Sequence, residues 1–406
     1  MHRQHIIDIG HRLIGAVQDS NCWNHRVSGV WVVMNPAAGL LARHGVVRQV
    51  LAQLVRAGAP YGSLDAAQEC GRVARLDLTR YPGHGWELGR AIGSYVHQLE
   101  KQAPADPVEP EDGGCGSGES NGSGDGACGP EDGGRQPGES SDFGCRSEAA
   151  PLLVVTVGGD GTHEEVLSGL LDSGCSAAGF RILRLPMGSG NDAADVPGMN
   201  HALGVLRGEA QESTVPAVET VLAGGERIYA FNVASFGLDA CVVEWTNRLK
   251  RSWLLPGDTY KLIADLVSLF YTPSFKQGLV KLLIDGSEEI ERDIVLLAIG
   301  ATGHRVYGRG KQVLPGEENL CAIRNLGILK RLPLKGMFYR GEHVQHPNTM
   351  MRRASSVRIE YPGRIYFQAD GESRVLQPED FPVQVRVLPT AVVHVGPRDS
   401  GDADSR

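Results

Sequence analysis

The run Leu152-Leu153-Val154-Val155-Thr156-Val157 leads without a break into Gly158-Gly159-Asp160-Gly161-Thr162, and that junction narrows the choice of fold more than any other feature. A short, continuous apolar run rich in β-branched residues and stopped by glycine reads as a strand buried on both faces. Such strands belong to parallel sheets covered by helices on either side. A helix is expected directly afterwards, over 162–172. Gly158 and Gly159 let the backbone approach a phosphate chain where a Cβ would clash. The helix start turns free N–H groups and the positive end of its dipole toward that anion. Asp160 adds a carboxylate able to reach Mg²⁺ directly or through water.

Further strands are expected over 30–34, 74–80 and 181–186, with helices over 43–57 and 85–99. Alternation of strand and helix predicts an α/β domain with a parallel sheet. Two more loops follow strands of this sheet. Pro186 to Asp192 (PMGSGND) offers small residues, the Ser189 hydroxyl and the polar heads of Asn191 and Asp192, suited to a second phosphate or metal contact. Met34 to Gly39 (MNPAAG) closes the first strand. In open sheets, ligands bind at the carboxyl ends of strands. There is no G-x-x-x-x-G-K-[ST] loop, and no G-x-G-x-x-G follows a strand, which sets aside P-loop and dinucleotide-oxidoreductase chemistry.

Beyond about 210 the pattern changes to alternating, β-branched segments: 228–235, 278–284, 292–299, 357–361, 365–370 and 383–389. They predict an antiparallel sandwich or barrel, interrupted by helices over 239–250 and 259–270. Near its end lies Gln368 to Glu372 (QADGE). Its D-G pair is an ordinary hairpin turn. Its carboxylates are also placed to accept a proton from an attacking alcohol.

The chain has 406 residues, 41 % hydrophobic and 22 % charged, enough for two cores. Its net charge of -8 comes from residues 101–150, where eleven acids face three bases. This Gly-, Ser- and acid-rich stretch reads as a disordered insert. The near-neutral remainder argues against a nucleic-acid partner. Eight cysteines without a C-x-x-C pair, among them Cys115, Cys128 and Cys145 in the insert, fit reduced thiols in a cytoplasm. Residues 1–26 read as a polar extension without periodicity and without a signal-peptide core, and no stretch has the ~20 apolar residues of a membrane span. The expected organisation is 1–26 extension, 27–210 nucleotide-binding α/β domain carrying the insert, 211–388 β-sandwich, and 389–406 C-terminal strand and tail. A homodimer is left open.

Taken together, the motifs resemble the diacylglycerol kinase catalytic superfamily, which includes bacterial lipid kinases and sphingoid-base kinases. The ordered set is NP-x-x-G at Asn35–Gly39, GGDGT at Gly158–Thr162, G-x-G-N-D at Gly188–Asp192, F-N-x-x-x-x-G-x-D-A at Phe231–Ala240 and D-G-E at Asp370–Glu372. Stretches 307–315 and 339–347 also match. The resemblance spans about 30–395 without the insert. It implies an interdomain cleft in which ATP is bound with Mg²⁺ and a lipid hydroxyl is phosphorylated. Gly158, Gly159, Asp160, Gly161 and Thr162 would line the triphosphate, with Asn35, Gly188, Ser189, Asn191 and Asp192 close by. Asp370 would be the general base and Glu372 its acidic neighbour. The family's other proposal gives Asp160 more catalytic weight.

Several positions depart from the family pattern. Glu164-Glu165 stands where Asn-Glu is usual, Leu40 replaces a cation, and Ala193-Ala194-Asp195 follows the G-N-D. Glu317-Glu318-Asn319-Leu320 replaces the Asp-rich stretch that holds a structural Mg²⁺, with Glu219 as a candidate acidic member of that network. Basic and aromatic residues form two groups, Arg248, Lys250, Arg251 and Trp253, then Lys330, Arg331, Lys335, Phe338, Tyr339 and Arg340. They suit a lipid substrate met at a membrane surface by a cytoplasmic, peripheral protein. An NAD kinase, sharing GGDGT, and a catalytically silent nucleotide- or lipid-binding protein are the competing readings.

Overall fold

A computed structural model describes residues 1–23, 26–64, 72–102, 150–188, 196–251, 279–307, 311–325 and 336–397. The helix expected over 259–270 lies outside these residues, as does the acidic insert apart from its two ends.

The chain opens with a helix, α1 (His2–Gln18), where a polar extension was expected. Ile6, Ile9, Leu13, Ile14 and Val17 recur at helical spacing and are all buried. The polar residues among them occupy the outer face, which hid the period. Gly15 lets this helix lie against the chain at Pro60: a Cβ there would come within 2.2 Å of the Pro60 carbonyl oxygen.

The α/β domain follows as β1 (Gly29–Met34), α2 (His44–Arg56), β2 (Val73–Leu78), α3 (His84–Gln102), β3 (Leu152–Gly158), α4 (Asp160–Asp172), β4 (Phe180–Pro186) and α5 (Met199–Leu206). The strands are parallel in the order β2-β1-β3-β4. Side chains alternate across the sheet. Val30, Val32 and Met34 of β1 pack with α1, α2 and α5. Trp31 and Val33 face the other way, toward Ile92 and Val96 of α3 and Val166 and Leu170 of α4. Burial on both faces is why the central strands β1 and β3 read as nearly unbroken apolar runs.

The second half comprises β5 (Ala210–Val221), β6 (Arg227–Ala230), β7 (Val233–Gly237), α6 (Leu238–Arg251), β8 (Val280–Ile284), β9 (Glu288–Arg292), β10 (Ile294–Gly300), β11 (Arg305–Tyr307), β12 (Lys311–Leu314), β13 (Leu320–Arg324), β14 (Thr349–Arg352), β15 (Ser356–Glu360), β16 (Ile365–Ala369), β17 (Glu372–Leu376) and β18 (Val383–Pro397). The strands β14-β13-β10-β7-β16-β17 form one antiparallel sheet. It packs on β5, β8, β15 and the first half of β18 through Val218, Phe236, Leu282, Ile299, Val357, Phe367 and Val385. This is the expected β-sandwich.

The strand expected over 383–389 runs on to 397. Its first part pairs with β15, and farther along His394 meets Ile182 of β4 in parallel. One sheet therefore continues from the α/β domain into the sandwich, with β18 as the shared strand.

Leu13 is fully buried between α1 and the sheet. Replacing it with Ala should destabilise the protein by ~2–5 kcal/mol, seen as a lower urea midpoint with an unchanged slope. A loss below about 0.5 kcal/mol would mean that α1 is not part of the folded core.

Candidate functional site

The loops after β1, β3 and β4 are bonded to one another. The Asn35 N–H donates to the Val157 carbonyl at 2.9 Å, the Met187 N–H to the Gly158 carbonyl at 2.8 Å, and the Leu40 N–H to the Met187 carbonyl at 3.0 Å. The Asn35 side chain accepts from the Ala37 N–H at 3.0 Å and donates to the Thr162 hydroxyl at 2.8 Å. Asn35 thus fixes its own turn and ties it to the first turn of α4. Gly159 is the N-cap of α4, and its carbonyl accepts from the Thr162 and His163 N–H groups. A Cβ on Gly159 would lie 3.1 Å from the Gly188 Cα, so two loops meet here backbone to backbone. The space next to Gly161 is open. Asn35, Gly158, Gly159, Asp160, Gly161, Thr162 and Gly188 are brought together. Ser189, Asn191 and Asp192 lie outside the described residues.

Asp370 sits in the tight turn between β16 and β17. Its φ is +46° and that of Gly371 is +97°, the left-handed pair of a two-residue hairpin. Its carboxylate accepts from three successive peptide N–H groups running from the β6–β7 link into the start of β7. Phe231 donates to Oδ2, Asn232 donates to both oxygens at 3.0 and 3.1 Å, and Val233 donates to Oδ1 at 2.8 Å. Burial raises the Asp370 pKa, while these N–H groups and the Arg305 charge oppose the rise. Beneath the turn, Ser235 donates to Asp239 at 2.6 Å and the Gln368 amide donates to Ser235 at 2.7 Å. The Gln368 carbonyl in turn accepts from the Gly371 N–H at 2.8 Å. The F-N-x-x-x-x-G-x-D-A stretch is thus the mount of the D-G turn. The turn reading and the carboxylate reading of QADGE describe the same object.

Glu164 connects the two domains electrostatically. Its pKa is raised to about 9, first by burial, then by Asp370, Asp160 and Glu372, with Arg184 opposing. Acids at the start of α4 and in the β16–β17 turn are therefore close enough to Glu164 to act on its charge. A protonated Glu164 is a neutral hydrogen-bonding group, as the usual Asn at this position is. Glu165 has a separate task. It accepts from the Gly83 N–H at 2.9 Å and the Gly85 N–H at 3.1 Å, holding the start of α3.

The Asp-poor stretch 317–320 is organised without a cluster of carboxylates. The buried Asn319 amide donates to the Gly300 and Ala354 carbonyls at 3.2 and 2.9 Å, and its oxygen accepts from the Ala354 N–H at 2.8 Å. Glu317 pairs with Arg353 at 2.6 Å. Glu219, on β5, is paired with Arg227 and Arg386 at 3.8 Å each. Among the described residues there is no group of three or more His, Cys, Asp or Glu arranged to hold a metal. Of the two basic-aromatic groups, Arg248 stacks on the exposed Trp245, and Tyr339 is exposed. Trp253, Lys330, Arg331 and Lys335 lie outside the described residues, and the side chains of Lys250 and Arg251 do too.

Sequence reasoning passed over the peptide cage of Asp370, because N–H groups leave no signature in side-chain identity. It also passed over Arg305, which stands just before the matched stretch 307–315.

Residues 138–218 match the diacylglycerol kinase catalytic domain, and residues 232–395 match the YegS C-terminal NAD kinase beta sandwich-like domain. A diacylglycerol kinase of Mycobacterium tuberculosis is 26 % identical over 257 residues, covering 60 % of this chain and 77 % of its own. A diacylglycerol kinase of Bacillus subtilis is 25 % identical over 244 residues, covering 56 % of this chain and 74 % of its own. The crystal structure of a provisionally named diacylglycerol kinase from Bacillus anthracis superposes with a TM-score of 0.52 at 16 % identity, covering 92 % of this chain and 97 % of that one. That likeness carries the two-domain fold.

The Glu164 shift sets the sign of a pH dependence. Its folded pKa of about 9 lies above the ordinary 4.5, so between these values the folded state holds a proton that the unfolded state has lost. Stability should fall as pH rises through this window, with a slope from this group of at most about 1.4 kcal/mol per pH unit. Glu164→Gln should flatten that slope and leave the variant more stable than the parent at pH 8, read by urea unfolding without nucleotide. Parallel curves for the two proteins would place Glu164 in water.

Proposed function

The chain belongs to the diacylglycerol kinase catalytic superfamily, and we propose that it transfers the γ-phosphoryl group of ATP to the hydroxyl of a lipid, using Asp370 as general base. The observation that carries this reading is the pairing of two half-sites. Glycine loops at the carboxyl ends of β1, β3 and β4 face a caged carboxylate on the sandwich, with Glu164 sensing both.

The nucleotide half fits a polyphosphate. At Gly159 the backbone is bare, with the Gly188 backbone beside it, and the first turn of α4 presents peptide N–H groups there. Asp160, at the start of α4, is the residue that would hold Mg²⁺, with Glu164 one turn on. Mg²⁺ would supply charge neutralisation for the phosphates. Asn35 and Thr162 keep the loop in shape, and Ser189, Asn191 and Asp192 belong to the same loop set by sequence.

The acceptor half supplies the base. As the lipid hydroxyl oxygen bonds to the γ-phosphorus, its proton passes to the Asp370 carboxylate. The bond from the γ-phosphorus to the β,γ-bridging oxygen breaks, and ADP leaves with that electron pair. An ionised carboxylate has about four lone-pair directions, so three peptide donors leave room for one more proton. Burial makes Asp370 a stronger base than a carboxylate in water. Glu372 stands across the hairpin, paired with Ala369 in register.

Among the described residues no helix is long and apolar enough to cross a membrane. We place the protein in the cytoplasm at a membrane surface, with the exposed Trp245, Val306 and Tyr339 as candidate contacts. The relatives' names favour an acceptor of the diacylglycerol kind.

The test is transfer of labelled γ-phosphate into a total lipid extract and, separately, into NAD⁺. The parent protein should label a lipid and leave NAD⁺ unlabelled. Asp370→Asn should lose about 10²–10⁴-fold of the rate. Equal labelling by both proteins would remove Asp370 as the base, and labelled NAD⁺ without labelled lipid would overturn the acceptor class.

A further inference from the structure

The side chains of β16 alternate between two surroundings. Phe367 and Ala369 point into the core of the sandwich. Gln368 points the other way, where α6 covers the sheet, and is only 3 % exposed. A polar side chain in such a place is costly unless its hydrogen-bonding groups are matched. Those of Gln368 are matched at both ends of the amide. The Gly371 N–H donates to its carbonyl oxygen at 2.8 Å. Its NH₂ donates to the Ser235 hydroxyl at 2.7 Å and lies 3.4 Å from Asp239 Oδ2. Ser235 donates to that same oxygen at 2.6 Å. Ser235 belongs to β7 and Asp239 to the first turn of α6, and both are buried.

The donors all run one way, from Gly371 through Gln368 and Ser235 to the Asp239 carboxylate. Turning the amide over would set its NH₂ against the Gly371 N–H. It would also set the amide oxygen against Ser235, whose proton is committed to Asp239. The chain therefore fixes the direction of the amide as well as its place. Hydrogen bonds in such a chain polarise one another. At its near end stands the peptide that joins Asp370 to Gly371. Asp370 has a φ of +46° and Gly371 of +97°, and a non-glycine residue keeps to the left-handed region only where its surroundings compensate. The N–H groups of Phe231, Asn232 and Val233 hold the Asp370 carboxylate. Gln368 holds the backbone of the same turn.

We infer that Gln368 is a positioning residue for the general base: anchored to Asp239 through Ser235, it holds the Gly371 peptide and so fixes the turn from which the Asp370 carboxylate meets the acceptor hydroxyl. The inference rests on the kinase reading of the site. In this role Gln368, being buried, touches neither substrate and acts through the turn alone.

Gln368→Met removes both arms of the amide with little change in length. Its rate of labelled γ-phosphate transfer into a total lipid extract, at saturating ATP, should fall about 10–100-fold with the KM for ATP unchanged. Hydrogen exchange at the Gly371 amide should speed up about tenfold or more. Gln368→Glu separates positioning from bulk. Its protonated acid offers one O–H donor and one carbonyl acceptor, as the amide does, whereas the ionised form cannot donate to Ser235. The ratio of its rate to the parent's should therefore rise as pH is lowered, while the ratio for Gln368→Met stays flat. Ser235→Ala keeps Gln368 and cuts its anchor, and reports the same split between rate and KM if Gln368→Met fails to fold. A parent-like rate in Gln368→Met, or parent-like exchange at Gly371, overturns the inference. So does a lost rate that comes with a raised KM for ATP and a lower urea midpoint, which makes Gln368 a residue of the fold alone. No transfer by the parent itself, with faster Gly371 exchange in Gln368→Met, supports the anchored turn while removing the kinase reading.

Discussion

Three consecutive peptide N–H groups converging on one carboxylate set the geometry of the acceptor side of this protein. The Asp370 turn belongs to β16 and β17, while the donors are Phe231 and Asn232 in the link between β6 and β7 and Val233 at the start of β7. Two neighbouring strands are thereby fastened at their ends as well as along their ladder. Charge-assisted hydrogen bonds of this kind are among the stronger ones in a protein interior. They hold Asp370 in a left-handed conformation that a non-glycine residue adopts only when its surroundings compensate. Asn232 spreads the same constraint to the loop at Ala301 and to β11.

The nucleotide side uses a different device. Its loops carry little side-chain chemistry and much backbone contact: β1, β3 and β4 end together, and their turns are bonded through Asn35, Gly158 and Met187. Continuity of the sheet through β18 then relates the two halves, because one strand pairs with β4 at one end and with β15 at the other. Glu164 reports the result. Its carboxyl is pushed up to about 9 by burial and by acids from both domains, which would repel one another if all were ionised. Replacing the family's Asn by Glu therefore changes less than the formal charge suggests, because the group is neutral near pH 7. Asn319 is a buried amide satisfied by backbone partners.

Much of this was legible in the sequence. The runs at 30–34, 152–157 and 181–186 gave their strands within a residue or two, because apolar β-branched or aliphatic residues dominate each of them. Glycine placement marked the loops. Helix α1 escaped notice because its buried Ile and Leu residues are separated by histidine, arginine and aspartate, so average polarity masked the spacing. The strand expected over 383–389 and the C-terminal strand expected from 389 are one strand, β18, with an irregular register between Leu388 and Val392. At the site, motif residues with side-chain chemistry were visible, whereas the cage exists only through contacts between distant segments.

In the proposed function the glycine loops bind nucleotide and the caged carboxylate serves the acceptor. The most direct test is the dissociation constant of ATP for Gly159→Val and Asp370→Asn side by side. Gly159→Val introduces a side chain against the Gly188 backbone and should weaken ATP by about tenfold or more, while Asp370→Asn should bind ATP as the parent does. Unchanged affinity in Gly159→Val, or a comparable loss in Asp370→Asn, would contradict that division.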